Sequence, residues 1–325
     1  MTKAMRIHET GGPDVMKWEN VEIADPGEGE VRIRQTAVGV NFIDTYFRDG
    51  TYPAPSMPFT PGKEGAGIVE AVGKGVSDLK EGDRVAYVGA NGSYAEKVVL
   101  PAASAVPVPD GIADETAAAM MLKGMTAEYL LNRTFKVGPD TTILFHAAAG
   151  GVGLILGQWA SHLGATVIGT AGSDEKCELA KANGYDHAIN YSREDFVQRV
   201  AEITDGKKCD VVYDGVGKDT FEGSLDCLKR LGLMVSFGQS SGSVPPFSPA
   251  ILNQKGSLFF TRPSLFNYTA TRAELLDCAN NLFDVVKSGA VKIEIGQTYP
   301  LSEAVQAHRD LQGRKTTGQT VLTIG

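Results

Sequence analysis

The chain has 325 residues, 42% of them hydrophobic and 22% charged, with a formal net charge of −8 at pH 7. This length suggests two domains, and the acidic balance argues against a nucleic-acid-binding surface, which normally needs a basic face. No stretch approaches the roughly 18 apolar residues of a membrane span, and no signal peptide is recognisable. Four dispersed cysteines without a Cys-x-x-Cys pair fit a reducing compartment. We therefore expect a complete cytoplasmic protein.

The first 110 residues are predicted to form a β-rich unit. Their β-branched residues alternate or cluster in short runs that Gly, Pro and Asp separate. The clearest of these runs are "EVRIRQTAVGV", "GAGIVEAVG", "DRVAYVG" and "YAEKVVL". Gly82 and Asp83 predict a turn that leads into one of the strands.

Near residue 113 the pattern changes to a long predicted helix, "ADETAAAMMLKGMTAEYLLNRTF", followed by alternating strands and helices. The predicted strands are "TTILFHA", "TVIGTAG", "HAIN", "CDVVYDGVG", "LMVSFG" and "GSLFFTRP". The helices between them are "GGVGLILGQWASHLG", "SDEKCELAKANG", "REDFVQRVAEITDG" and "TFEGSLDCLKRLG". Six strands with helical crossovers indicate an α/β fold with a doubly wound parallel sheet.

The C-terminal part is predicted to resume the β-rich unit. A long helix, "TRAELLDCANNLFDVVKSG", leads to the strand "KIEIGQTYP", the helix "LSEAVQAHRDLQG" and the strand "TVLTIG". A doubly wound domain inserted near the C-terminal end of a β domain would give this order. We predict a β-rich domain from residues 1–122 and 263–325, and a nucleotide-binding domain from residues 123–262.

Small residues are concentrated at the first strand-to-helix turn, in "FHAAAGGVG". A dinucleotide-binding turn has the form Gly-x-Gly-x-x-Gly, and here Ala148, Gly150 and Gly153 occupy its positions. Gly150 would let the backbone approach a pyrophosphate, Gly153 would let the helix pack on the strand, and helix N-terminal amides would bind the phosphates. The alternative is a tight turn without a ligand, which the surrounding βα units make less attractive.

The end of the second strand of this domain favours NADPH over NADH. An NAD site places an acid there to bind the ribose 2′-hydroxyl, but this chain has Ala171, Gly172 and Ser173. Ser173 could cap the next helix and donate to a 2′-phosphate, with Lys176 and Tyr191 completing the pocket. Asp174 and Glu175, in the first turn of that helix, weaken the case for NADPH. Lys176 could also be a solvated helix lysine.

The sequence offers no catalytic metal site. Lys63 precedes Glu64 where a His ligand would stand, and the first 110 residues contain no Cys and only His8, whereas tetrahedral zinc needs three or four Cys, His or carboxylate ligands. The other four histidines are scattered, and structural or exposed roles suit them better. Because no Gly-x-Ser-x-Gly nucleophile elbow is present either, we expect hydride transfer from the cofactor.

Several motifs resemble the zinc-independent quinone oxidoreductases, or zeta-crystallin-like proteins, of the medium-chain dehydrogenase/reductase superfamily. They include "VGVNFIDTYFRDGTYP", "GKEGAGIVEAVGKGV", "KGMTAEYLL", "NYSREDF" and "ILNQKGSLFFTRPSL", and they cover essentially the whole chain. The resemblance implies a GroES-like domain, a Rossmann domain and an active site in the cleft between them. It also implies a homodimer joined edge to edge through the last Rossmann strand, around 257–260.

The resemblance also assigns roles to individual residues. Asn41 would lie near the nicotinamide and orient the acceptor together with Tyr46 and Tyr52. Both tyrosines could instead be ordinary core or surface aromatics. Asp44 is interpreted as ordering the short helix and not as an acid or base. The residues implied to contact the cofactor are Asn41, Thr126, Gly150, Gly151, Val152, Gly172, Ser173, Lys176, Tyr191, Phe237, Gly238, Ser240 and Arg314. Without the resemblance, Arg314 would be interpreted as a solvated charge. Because Lys63 stands where relatives often have a small polar residue or His, the resemblance does not define the shape of the acceptor site there.

The sequence therefore predicts an NADPH-dependent enzyme that reduces a flat conjugated carbonyl acceptor, most plausibly a quinone, without a metal. The nearest alternative is an enoyl or alkenal double-bond reductase of the same superfamily. A non-catalytic protein, such as an NADPH-regulated RNA binder or a lens-type crystallin, is a further alternative, and the negative charge speaks against RNA binding. We expect a small-molecule substrate and no membrane or nucleic-acid partner.

Overall fold

A computed structural model describes residues 1–54, 56–89 and 91–325. The chain divides into two compact units: unit 1 is Met1–Met125, Thr269–Lys287 and Ile293–Gly325, and unit 2 is Thr126–Tyr268 and Ser288–Lys292. The predicted domain boundaries at 122/123 and 262/263 lie a few residues earlier in the chain. Within the described ranges, no helix combines the length and apolar character that crossing a bilayer requires.

Strands and helices alternate in unit 2, whereas strands predominate in the N-terminal part of unit 1. In chain order they are β1 (Thr2–Ile7), β2 (Met16–Val21), β3 (Glu30–Val40), α1 (Phe42–Asp49), β4 (Glu64–Val72), β5 (Arg84–Val88), β6 (Lys97–Pro101), β7 (Ala105–Pro107), α2 (Asp114–Tyr129), β8 (Thr142–His146), α3 (Gly151–His162), β9 (Thr166–Ala171), α4 (Asp174–Lys181), β10 (His187–Asn190), α5 (Phe196–Ile203), β11 (Cys209–Asp214), α6 (Phe221–Asp226), β12 (Leu228–Ser236), α7 (Ala250–Gln254), β13 (Phe259–Thr261), α8 (Leu265–Tyr268), α9 (Arg272–Lys287), β14 (Ile295–Pro300), α10 (Ala304–Gln312) and β15 (Gln319–Thr323). A π-helical turn, Leu130–Thr134, follows α2 directly.

Unit 1 is built on a mixed sheet with the strand order β14-β15-β3-β4-β5-β7, and β6 also pairs with β3. The C-terminal strand β15 pairs antiparallel with β3, and β14 pairs parallel with β15. The sequence-based expectation that the β-rich unit resumes at the C-terminal end is therefore confirmed. A separate antiparallel hairpin, β1-β2, precedes this sheet, and α10 packs its buried face into the core below β3.

Unit 2 is a six-stranded sheet with the order β10-β9-β8-β11-β12-β13, and every pairing in it is parallel. Counted from the first strand of the unit, this order is 3-2-1-4-5-6, the order of the Rossmann fold. Central-strand residues such as Leu144, Ile168 and Val212 are fully buried, because helices cover both faces of a doubly wound sheet. The predicted α/β fold is confirmed.

One local prediction in unit 2 was wrong, and short helices were missed. The helix predicted over 220–232 ends at Asp226, because Leu228 already pairs with Cys209 as the start of β12. Leu231 then adopts a left-handed φ of 64°, and a right-handed helix does not accommodate that conformation. The short helices α7 and α8 were not predicted, since their five and four residues are too few to show a clear period.

Candidate active site

The predicted dinucleotide turn joins β8 to α3 at the carboxyl end of the central strand. Ala147 leaves the strand with a φ of 61°, and the Ala148 N–H donates to the Thr170 carbonyl of β9 at 2.9 Å. Gly150 then takes the N-cap position of α3 in an extended conformation. The first amides of α3, including those of Gly151 and Val152, are therefore presented at a helix N-terminus, where they favour an anion.

Close backbone contacts require glycine at position 153 and leave little room for a side chain at position 150. A Cβ on Gly153 would lie 2.6 Å from the Ala147 carbonyl oxygen and against the backbone of Ala148, whereas a Cβ on Gly150 would lie 3.1 Å from one carbonyl oxygen. The methyl group of Ala148 occupies the space left by Gly169, which faces it from β9. This pairing explains how alanine is accommodated at the first position of the motif.

The residues predicted to surround a 2′-phosphate meet at the carboxyl ends of β9 and β10. Ser173 caps α4 by accepting the Lys176 N–H at 3.3 Å. The Tyr191 hydroxyl lies 2.8 Å from the position that a Cβ on Gly172 would take, and the Tyr191 N–H donates to the Ala171 carbonyl. The structure thus brings Gly172, Ser173, Lys176 and Tyr191 together on one surface.

Asp174 and Glu175, the two acids that follow Ser173, are exposed and interact with neighbouring side chains. Asp174 accepts hydrogen bonds from Asn190 Nδ2 at 2.9 Å and forms an ion pair with Arg193 at 2.7 Å. The Ser173 hydroxyl donates to Glu175, which lowers the pKa of that carboxyl. Sequence analysis missed Arg193, whose position beside Asp174 depends on the pairing of β9 with β10.

Three further predicted cofactor residues form the loop after β12. The Phe237 N–H donates to the Asp214 carbonyl at 2.9 Å, and the Ser240 N–H donates to the Gly215 carbonyl at 3.2 Å. A Cβ on Gly238 would meet the Gly215 backbone at 2.5 to 3.0 Å. This loop therefore follows the carboxyl end of β11 closely, at the edge of the sheet where open α/β folds bind ligands.

A buried polar chain supports these strand ends. His146 Nδ1 and Nε2 lie 2.9 Å from Thr170 Oγ1 and Ser224 Oγ, and the Ser224 hydroxyl donates to Asp214 at 2.8 Å. Burial lowers the pKa of His146, so the imidazole is neutral at pH 7. The predicted structural role of His146 agrees with this position between β9 and β11.

In unit 1, Asn41 follows β3 as the N-cap of α1, and it links two buried carboxylates. Its backbone N–H donates to Asp44 Oδ2 at 2.9 Å, and its Nδ2 donates to Glu64 Oε1 at 2.7 Å. Glu64 is fully buried and also accepts the Leu122 N–H at 2.6 Å and the Lys123 ammonium at 3.3 Å. The Asn41 amide is therefore held in one orientation by a carboxylate that is itself fixed.

Two lysines complete this charged group. Lys123 donates to the Val40 carbonyl at 3.0 Å as well as to Glu64. Lys63 lies 4.5 Å from the centroid of the Phe47 ring and donates to the Gly89 carbonyl at 3.3 Å. Burial lowers the pKa of Lys63, and Asp44 partly opposes this effect. Sequence analysis singled out Lys63 but missed Lys123, which lies on a helix far along the chain.

The predicted acceptor residues Tyr46 and Tyr52 are half-buried and pack on one another. Their ring centroids are 5.3 Å apart with the rings edge to face, and Tyr52 also packs edge-on against Phe47 at 5.7 Å. The Tyr52 N–H donates to the Tyr46 carbonyl at 2.9 Å, which fixes the turn after α1. Both tyrosines therefore lie on one aromatic surface with Phe47.

The two remaining predicted cofactor residues are Thr126 and Arg314. Thr126 is buried within α2 and is the first residue of unit 2. Arg314 follows α10 in unit 1, is exposed and has a φ of 57°. Their roles remain predictions.

Two family models match the chain. The first, "Alcohol dehydrogenase GroES-like domain", covers residues 27–110, and the second, "Zinc-binding dehydrogenase", covers residues 151–280. The first match lies in unit 1. The second begins at the first residue of α3 and extends over most of unit 2.

The residues around Glu64 do not fit a zinc ion. Its neighbours are the Asn41 amide, the Leu122 N–H and the Lys123 ammonium, all of which donate to the carboxylate. Zinc sites use thiolate, imidazole and carboxylate ligands, and an adjacent ammonium would repel the ion. Within the described parts of the chain, no group of three or more His, Cys, Asp or Glu side chains could hold a metal.

Full-length relatives resemble the chain over both units. It is 52% identical to a quinone oxidoreductase of Pseudomonas aeruginosa, with 99% of each chain covered, and 47% identical to a 2-haloacrylate reductase of Burkholderia, with the same coverage. The crystal structure of Escherichia coli quinone oxidoreductase complexed with NADPH matches with a TM-score of 0.97 and 50% identity, again over 99% of each chain. The chain belongs to the quinone oxidoreductases of the medium-chain dehydrogenase/reductase superfamily.

Proposed function

We propose that this protein is an NADPH-dependent oxidoreductase that reduces quinones by hydride transfer without a metal. The main support is the turn from β8 to α3, where Gly153 lets α3 pack closely on the backbone of Ala147 and Ala148 and Gly150 caps the N-terminus of α3 without a side chain. The similarity to the Escherichia coli enzyme crystallised with NADPH supports the identity of the cofactor. When bound, NADPH supplies the hydride for the reaction.

The proposed cofactor contacts follow from the chemistry of each group. The amides of Gly151 and Val152 would bind the pyrophosphate beside Gly150, whose own N–H donates to the Ala147 carbonyl at 2.9 Å. Ser173, Lys176 and Tyr191 would bind the 2′-phosphate beside Gly172. We propose that Thr126, Phe237, Gly238, Ser240 and Arg314 complete the cofactor site, as the family resemblance implies.

We predict that Lys176→Met raises the dissociation constant for NADPH by about tenfold or more and leaves that for NADH unchanged. Only NADPH carries the 2′-phosphate, and loss of a charge-assisted contact weakens binding by this order. Fluorescence titration with both cofactors measures the difference. Lys181→Met is the control, because Lys181 lies on the same helix and pairs with Glu178 at 3.0 Å. An equal loss for both cofactors would contradict the assignment.

At the acceptor site, we propose that Asn41, Tyr46 and Tyr52 orient the acceptor. Asn41 Nδ2 has two hydrogens and uses one for Glu64, and we infer that the second donates to the acceptor oxygen as negative charge develops there. The aromatic surface of Tyr46 and Tyr52 suits a flat conjugated ring. These residues would position the acceptor and exclude water around it.

We expect Tyr52→Phe to lower kcat for quinone reduction about three- to tenfold while the NADPH dissociation constant stays unchanged. The phenyl ring preserves the packing against Tyr46 and Phe47 and removes only a hydroxyl donor. Steady-state kinetics and cofactor titration on the same preparation test this. A large fall in NADPH affinity at unchanged kcat would refute the acceptor role.

The second candidate function is reduction of an activated carbon–carbon double bond. The 47% identity to the Burkholderia 2-haloacrylate reductase favours it. The two functions are separated by kcat/KM values for a benzoquinone series, 2-alkenals, 2-chloroacrylate and enoyl-CoA thioesters, with NADPH consumption as the readout. The quinone proposal requires the highest values on the quinones.

We further propose a cytoplasmic homodimer. All four cysteines are buried and none forms a disulfide, as suits a reducing compartment. In the described part of the chain, the edge strand β13 pairs with β12 alone, and Phe259 on it is 60% exposed, so a second copy of this strand would cover an apolar edge. Phe259→Lys is expected to give monomers in sedimentation velocity, whereas wild-type protein sediments as a dimer. A wild-type monomer would contradict the proposal.

A further inference from the structure

Two acids and one lysine stand side by side in the first turn of α4, where the 2′-phosphate of NADPH is proposed to bind. Asp174 and Glu175 are exposed, and Lys176 follows them directly. The Ser173 hydroxyl donates to Glu175 and is therefore engaged within this turn. A phosphate monoester carries a charge of about −1.5 to −2 at pH 7. The side chains of this turn alone have a net negative charge, which disfavours such an anion.

Arg193 supplies a balancing positive charge from the loop after β10. Its Nη2 atom lies 2.7 Å from Asp174 Oδ1, and both side chains reach solvent, with 63% of Arg193 and 57% of Asp174 exposed. This ion pair cancels the charge of Asp174 and leaves Lys176 to balance Glu175. With Arg193 in place, this surface of unit 2 no longer carries an excess of negative charge.

Hydrogen bonds hold the Arg193 loop against the strand end that carries the proposed phosphate site. Ser192 Oγ donates to the Gly172 carbonyl at 2.8 Å. The Arg193 N–H donates to the Asn190 carbonyl at 3.2 Å. The backbone around Arg193 is thus tied to Gly172 and to the end of β10, so its guanidinium is presented to Asp174 by an ordered loop.

Asp174 keeps a second donor that does not depend on Arg193. Asn190 Nδ2 donates to the same Oδ1 atom at 2.9 Å, and Asn190 Oδ1 accepts the Ser192 N–H at 3.1 Å, which fixes the orientation of the amide. Removal of the Arg193 charge would therefore leave an ionised Asp174 in place beside the phosphate site.

The neighbouring charged residues form pairs of their own. Glu194 lies 3.1 Å from Arg199, and Lys181 lies 3.0 Å from Glu178. Each of these pairs is neutral as a unit, so the charge of the first turn of α4 is set mainly by its own side chains and by Arg193.

We propose that Arg193 determines the preference for NADPH over NADH by neutralising Asp174, a role that rests on the NADPH-dependent function proposed above. Asp174 alone would repel the 2′-phosphate, whereas the ion pair would present no net charge to it. NADH has a hydroxyl in place of this phosphate and is insensitive to the difference. Arg193 is a positioning residue in this proposal, because it acts through Asp174 and not through a contact with the cofactor.

The test is a set of charge-compensating variants studied by isothermal titration with NADPH and with NADH. We expect Arg193→Gln to raise the NADPH dissociation constant by about three- to tenfold at low salt and to leave the NADH constant unchanged. The double variant Asp174→Asn/Arg193→Gln should bind NADPH within about twofold of the wild type, since both charges are lost together. In about 0.5 M NaCl the effect of Arg193→Gln should fall below about twofold, because exposed charges are screened.

Lys229→Gln is the matched control. Lys229 is also an exposed cation of unit 2 that pairs with an aspartate, Asp210, but both lie at the amino ends of their strands, β12 and β11, on the opposite edge of the sheet. This variant should change neither dissociation constant, and unchanged NADH binding shows that each variant is folded.

Three results would overturn the proposal: an unchanged NADPH dissociation constant in Arg193→Gln, an equal loss for NADH, or a double variant as weak as Arg193→Gln. The last result would mean that Arg193 contacts the phosphate itself. If the wild type prefers NADPH and Arg193→Gln keeps that preference, only this inference fails. A wild-type protein that binds NADPH no more tightly than NADH would overturn the proposed cofactor as well.

Discussion

Gly153→Ala is expected to weaken NADPH binding by at least about 100-fold. The added methyl group would lie 2.6 Å from the Ala147 carbonyl oxygen and against the Ala148 backbone. Real Cβ atoms do not approach this closely, so α3 must shift away from β8, and the amides at its N-terminus move with it. Isothermal titration with NADPH measures the loss, and the shift should also lower the melting temperature.

Gly138→Ala is the matched control in the same unit. A Cβ at Gly138 meets nothing within 4 Å, and its φ is not in the left-handed region. This variant should bind NADPH as the wild type does and be at least as stable, since alanine reduces the freedom of the unfolded chain. Gly153→Ala with wild-type affinity would contradict a cofactor site at this turn.

Glu64→Gln is expected to lower the free energy of unfolding by about 3–5 kcal/mol, the usual cost of removing one partner of a buried ion pair. The buried carboxylate accepts from Asn41, Leu122 and Lys123. Glutamine offers one acceptor oxygen and places an amide donor against other donors, and Lys123 loses its counter-charge. Urea unfolding measures the change, and quinone turnover should fall because Asn41 loses its fixed orientation.

Glu81→Gln provides the comparison, because Glu81 is exposed and lies in the same unit. Its substitution should change stability by less than about 0.5 kcal/mol. A loss of less than about 0.5 kcal/mol in Glu64→Gln, with full turnover, would contradict this prediction. It would show that Glu64 neither stabilises the fold nor orients Asn41.

The sequence was most informative where local pattern and topology agree. The turn at Gly150 and Gly153 could be located because its glycines satisfy contacts with their own neighbours in the chain. Strand periodicity and crossovers similarly predicted the parallel sheet. The boundary at Leu228 was mistaken because "LDCLKRLG" has helical periodicity, while pairing with β11, a tertiary contact, makes it a strand.

The charged group around Asn41 could be predicted only in part. Asn41 came from the family resemblance, and Glu64 was noted only as a neighbour of Lys63. Lys123, Tyr94 and His308 carry no local signal, because each reaches the group from a segment distant in the chain. The Tyr94 hydroxyl lies 3.0 Å both from Asp44 Oδ2 and from His308 Nε2. His308 looked like one of several scattered histidines, and only folding brings α10 against α1 and gives it Arg48 and Tyr94 as partners.

The central claim is that this chain moves a hydride from NADPH to a quinone without a metal. The most direct measurement is an anaerobic assay with NADPH and 1,4-benzoquinone after exhaustive treatment with a chelator, following both cofactor oxidation and hydroquinone formation. We predict that each NADPH oxidised yields one hydroquinone and that chelation leaves the rate unchanged. No quinone-dependent oxidation of NADPH, or a rate that chelation abolishes and zinc restores, would contradict the account.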